Sequence, residues 1–186
     1  YGKSGVSGED SRRRRKLKRL VMVRWMYHLP SYYGYYPGRR VIQLNGNAEL
    51  LNFIYQNAEM GVETLNKLKA ITEDKEFEKV LDAQFAEYKE INDVARSLLN
   101  KNGYDEKGIN AMQRIRTYLM LNLQTLMDKT SSHIAEMIMV GSAMGIIDAI
   151  KNLKQYRDEA EPEIVQLMER LLRFEENNFQ QMKQFL

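Results

Sequence analysis

The sequence predicts an all-α protein: a four-helix bundle of two antiparallel helical hairpins, with a shorter crossover helix between them and a basic arm in front. Three observations carry this. Past residue 46, apolar residues recur every three or four positions, the spacing that draws a stripe down one helix face. Five of the 11 glycines and two of the three prolines precede residue 46, so the body lacks the frequent turns that strands need. The connections between helices one and two and between helices four and five are only a few residues long, which folds each pair into a hairpin. At 186 residues, the chain suits one domain able to bury a core unaided.

The elements follow in order. Leu51, Ile54, Ala58, Gly61, Leu65 and Leu68 mark helix one over about 47–71. Thr72 is placed to cap helix two, striped by Phe77, Leu81, Tyr88, Ile91, Ala95 and Leu98 and stopped at Asn102-Gly103. Met112, Ile115, Leu119, Leu123 and Leu126 give a third helix over about 109–128, roughly 30 Å long at 1.5 Å per residue and able to carry the chain back along the bundle. Ser131 or Ser132 caps a fourth over about 132–156, and Pro162, favoured in a first turn, opens a fifth that runs to the C-terminus. Helix four is apolar nearly all round (Met137, Ile138, Met139, Val140, Ala143, Met144, Ile146, Ile147), with Gly141 and Gly145 as a small-residue ridge. That pattern means core packing or an interface between copies of the chain, which predicts a homo-oligomer. Uncharged runs such as Met137–Ile147 reach 11 residues, short of the roughly 20 that span a bilayer, so no transmembrane segment is expected.

Polar residues inside the apolar stripes are the candidate site. Glu175 projects to the centre of the stripe Ile164, Met168, Leu171, Leu172, Phe179 and Met182, with Asn178 one turn further on. Gln84 and Tyr88 lie inside the stripe of helix two, with Glu87 at its edge and Glu90 outward. On helix one, Glu59 sits at the margin and Glu63 faces solvent; on helix four, Ser142 and Met139 lie at mid-height and Glu136 projects to a buried-facing position near the start. A buried carboxylate must be paired, hydrogen-bonded or protonated. Three readings meet that demand: a hydrogen-bonded network of Gln84, Tyr88, Glu175 and Asn178 that fixes register; a divalent cation held by Glu175, Glu87 and Glu59 with Glu136 nearby; or a Glu175 half in solvent.

The body, and in particular Asn47–Leu65, Asp82–Ile91, Ser132–Ile147 and Glu175–Asn178, resembles the ferritin-like superfamily, and most of all its small bacterial members with degenerate centres. The resemblance implies a four-helix bundle and, in intact members, two metal ions at mid-height held by a Glu from each of two helices and a Glu-x-x-His pair from each of the other two, because carboxylates bridge hard cations and imidazole completes each shell. Here the body has one histidine, His133, in the first turn of helix four, and Glu175-x-x-Asn178 stands where the family shows Glu-x-x-His. Iron oxidation is therefore not expected. The reading is a non-enzymatic structural or binding bundle without a cofactor, with Fe or Mn binding as its alternative.

The arm, residues 1–45, is a different material. It holds 11 Lys and Arg against 2 acids, a balance of +9, whereas residues 46–186 hold 17 against 23, a balance of −6. The net charge of +3 describes neither part. Arg12, Arg13, Arg14, Arg15, Lys16, Lys18 and Arg19 place seven positive charges in eight residues, followed by Trp25 and six of the 11 tyrosines lie in this arm. Such a segment suits phosphates and stacked bases of a nucleic acid, an anionic membrane surface, docking on an acidic body, or a solvated tail. A first residue of Tyr rather than Met points to processing, truncation or fusion.

Several chemistries are excluded. With no cysteine, there is no disulfide framework, thiolate metal site or thiol nucleophile; this fits a reducing compartment such as the cytoplasm. No Gly-rich phosphate loop, H-E-x-x-H or G-x-S-x-G occurs, and His28 and His133 are the only imidazole bases.

Overall fold

In the computed structural model, residues 45–104, 113–124 and 127–186 are described, all within one compact unit, Gln43–Leu186. The basic arm, apart from Asn45, lies outside them. Among the described residues the fold is all-helical, with helices α1 (Gly46–Lys69), α2 (Lys75–Lys101), α3 (Gln113–Gln124), α4 (Ser131–Tyr156) and α5 (Pro162–Met182), and two single 3-10 turns at Arg157–Glu159 and Lys183–Phe185.

The helix ends have local causes. Asn45 accepts from the Asn47 N–H at 3.0 Å and caps α1. Thr72 does not cap α2: its hydroxyl donates to the Leu68 carbonyl at 2.9 Å and closes α1 instead. The cap is Asp74, whose Oδ1 accepts from Glu76 and Phe77 N–H at 3.0 and 3.2 Å, because a carboxylate meets the unpaired first-turn donors better than a hydroxyl. Gly103, at φ +66°, takes the left-handed position that ends α2. Thr130, rather than Ser131 or Ser132, caps α4; Ser131 Oγ donates to Asp74 Oδ2 at 2.9 Å and so joins the starts of α4 and α2. Pro162 occupies the first turn of α5. The described α3 has 12 residues, about 18 Å at 1.5 Å per residue; of the expected 109–128, residues 109–112 and 125–126 lie outside the description, and 127 and 128 are not helical.

Contacts set the helix directions. Tyr55 meets Asn92 and Arg96, Gly61 meets Tyr88 and Lys69 pairs with Asp82, so α1 and α2 run antiparallel. Gly145 beside Glu175 and Arg157 with Glu169 at 2.6 Å do the same for α4 and α5. Gly46 meets Tyr156 while Asn57 meets Gly145, which makes α1 and α4 antiparallel. Gln84 to Gln181 and Tyr88 to Glu175 set α2 against α5 in the same sense. The core between them is built on Leu50, Ile54, Leu81, Ile91, Ile134 and Met168. Phe77 stacks edge-on against Phe185 at 4.6 Å, pinning the C-terminal turn to α2.

The run Ser131–Glu159 is, among the described residues, long and apolar enough to cross a membrane by length and composition. Its inner side is part of the core, where Ile134, Ala135, Met137 and Ala149 are buried. A core helix passes that test as readily as a membrane span.

Candidate functional site

All five helices converge on a small cavity of about 40 Å³, whose wall is largely apolar (Met60, Leu65 and Ile138 among others) with polar groups set into it. Asn57, Gly61 and Thr64 come from α1, Gln84 and Tyr88 from α2, Ile115 and Leu119 from α3, Gly141 and Ser142 from α4, and Glu175 from α5. By volume it has room for two or three waters, since about 10–15 Å³ on this measure holds one. The helices approach closely because two positions have no side chain. A Cβ at Gly61 would lie 2.7 Å from the Tyr88 ring, and one at Gly145 would lie 3.1 Å from Asn57 Nδ2 and 3.6 Å from Glu175 Oε1. Glycine here lets Tyr88 cross over α1 and lets Asn57 and Glu175 close on α4.

Glu175 is 3% exposed. Tyr88 Oη donates to its Oε1 at 2.8 Å, and the Tyr88 ring is held edge-on by Phe174 at 4.6 Å. Glu175 Oε2 has no hydrogen-bond partner among protein groups, and neither has the buried Asn178 Nδ2. Burial raises the Glu175 carboxyl to about 7, with the Ser142 and Tyr88 hydroxyls pulling partly back. Burial also drives the Tyr88 phenol well above its ordinary value, reinforced by the Glu175 charge and offset in part by Asn178 and Ser142. The pair therefore offers, near neutral pH, a carboxyl that carries or releases a proton beside a phenol that keeps its own.

Of the four residues expected as a polar network, Tyr88 and Glu175 are directly bonded, Asn178 lies against Tyr88, and Gln84 lines the cavity while its amide reaches Gln181 at 3.5 Å. The four carboxylates expected for a cation are not brought together. Glu87 is held by Arg170 at 2.8 Å, which also pairs with Glu90 at 2.9 Å. Glu59 is exposed and accepts from the Tyr55 hydroxyl at 3.2 Å. Glu136 is not buried-facing: it is exposed, 3.9 Å from His133 Nδ1, because the inner side of α4 passes through Ile134, Ile138 and Ser142. Among the described residues, no three His, Asp or Glu side chains stand close enough to share a metal ion. One carboxylate in the cavity wall does not fit a two-metal centre.

Two contributors were not anticipated. Asn57 faces the cavity beside Ala58 of the apolar stripe and three residues after Ile54, so its signal was a polar residue at the stripe's edge. Arg170, which removes Glu87 from the interior, gave none, because its partners sit on another helix. The expected anionic-partner residues Arg12–Arg15, Lys16, Lys18, Arg19 and Trp25 lie outside the described residues. Comparison with known proteins yields no matching family model, no matching curated protein and no matching solved structure.

Proposed function

We propose that this chain is a ferritin-like four-helix bundle of structural or binding type, self-associating through α4, whose interior is a small pocket around Glu175 for neutral guests such as water rather than a metal centre. The fold half of the reading is supported by helix direction. Hairpins α1–α2 and α4–α5 lie antiparallel to each other at α1–α4 and α2–α5, so α2 and α4 run the same way; a long connection between them, with α3 in it, is what that layout requires. The binding half rests on one observation: Glu175 is buried with Oε1 taken by Tyr88 and Oε2 unpartnered, at a largely apolar cavity into which Asn57, Thr64, Gln84 and Ser142 bring polar groups.

Metal analysis of the purified chain, with thermal melts in the presence and absence of Fe(II) or Mn(II), tests it. The expected result is sub-stoichiometric metal and an unchanged Tm. A saturable rise in Tm that Glu175→Gln abolishes overturns the reading in favour of a single cation on Glu175.

A further inference from the structure

Helix α4 has two apolar sides. One passes through Gly141 and Gly145 into the core. Five residues on either side of Gly145 stand Val140 and Ile150, two on either side stand Ala143 and Ile147, and nine on either side stand Glu136 and Lys154. Nine residues make two and a half turns, so Glu136 and Lys154 lie on the side opposite Gly145, and the four apolar residues lie between them on that same side. Ile147 is 53% and Ile150 40% exposed. The spacing from Glu136 through Val140, Ala143, Ile147 and Ile150 to Lys154 alternates four and three, the seam of a paired helix.

We infer that this outer face of α4 pairs with the same face of a second copy, antiparallel, about a two-fold axis at Gly145. The inference rests on the self-association part of the proposed function and gives it a partner surface and a register. A two-fold contact must be self-complementary: if residue i meets j, then j meets i. The stripe satisfies this condition in both shape and charge. Val140 meets Ile150 of the second copy, Ala143 meets Ile147, and Glu136 meets Lys154, each twice. Parallel pairing would set Glu136 against Glu136 and Lys154 against Lys154, which like-charge repulsion disfavours. Among the described residues Glu136 is exposed, with His133 Nδ1 at 3.9 Å and Tyr118 near it, and Lys154 is exposed, so both ends face outward there. A bilayer would gain nothing from the opposed charges, whereas a second copy neutralises both.

The test is sedimentation equilibrium on the full chain up to roughly 1 mM, with E136K, K154E, the double swap E136K/K154E, and I147D. The wild type is expected to dimerise. Each single reversal places like charges at both ends and should weaken dimerisation about tenfold, the double swap should restore it, and I147D should abolish it. All three substituted positions are exposed, so circular dichroism should show unchanged helix content in all four variants. A wild type that stays monomeric overturns both the pairing and the self-association beneath it. A wild-type dimer indifferent to I147D, or not restored by the double swap, overturns this pairing while leaving self-association standing. A monomer that sediments instead with phosphatidylglycerol vesicles assigns the face to membrane and also overturns the pairing.

Discussion

At the scale of single residues, Glu175 sets the chemistry of the interior. Its carboxyl ionises normally near 4.5 and is raised to about 7 in the fold. Between those values the folded chain keeps a proton that the unfolded chain has released. The contribution of Glu175 to stability is therefore full below the lower value and declines as pH rises through the upper one. The full change is about 3 kcal/mol. Urea titrations from roughly pH 4 to 8 should show this decline in the wild type and lose it in Glu175→Gln. An equal decline in the variant would place the pH dependence in another group. The same residue was legible from the sequence because a carboxylate at the centre of a six-residue apolar stripe stands out on projection. Glu136 shows the opposite case: projection put it inward, yet a helix that is apolar on two sides gives periodicity no means of choosing which one is buried.

At the scale of elements, α1 and α2 depend on the missing side chain at Gly61. A methyl group there would stand 2.7 Å from three carbons of the Tyr88 ring, including the one nearest its backbone, so the ring cannot swing clear without shifting α2. Gly61→Ala should cost about 1–3 kcal/mol of unfolding free energy, as overpacked cores do, and should weaken the Tyr88–Glu175 bond. A denaturant midpoint equal to that of the wild type would show that the two helices accommodate the methyl group freely. Helix spans were readable from spacing to within a few residues, since a stripe over six or seven turns averages out local exceptions. N-cap identities were not. Thr72 and Ser131 have the right chemistry, but Asp74 and Thr130 hold the caps, a choice made by which side chain reaches the first free N–H groups and by the tertiary bond from Ser131 to Asp74.

At the scale of the whole molecule, polar bonds such as Tyr88–Glu175 and Arg170–Glu87 tie the two hairpins, and one further tie is at the start of the described chain. Asn47, nearly buried, accepts from the Glu161 N–H at 2.6 Å, joining the first turn of α1 to the connection between α4 and α5, while Gly46 packs against Glu159 and Tyr156. Asn47→Ala leaves that N–H without its acceptor and should lower stability by about 1–2 kcal/mol, with helix content by circular dichroism unchanged. Equal stability would mean that water replaces the bond at no cost. Such ties between distant segments are where sequence reading ends: pairing of Asn47 with Glu161, or of Arg170 with Glu87, depends on which helices become neighbours and not on any spacing within one of them.

Asp74 lies where two of these neighbours begin. Its Oδ1 serves the first N–H groups of α2, and its Oδ2 receives the hydroxyl of Ser131 at the first residue of α4. Helices α2 and α4 run the same way, so their positive poles sit side by side, an arrangement that repels itself. One carboxylate is the shared counter-ion for both, and those bonds lower its proton affinity. Acid that neutralises Asp74 uncaps one helix and, in the same event, exposes two like poles to each other. The end of the fold held by Asp74 is thus the end from which acid would pull the hairpins apart, while the interior around Glu175 is most secure in that same acid.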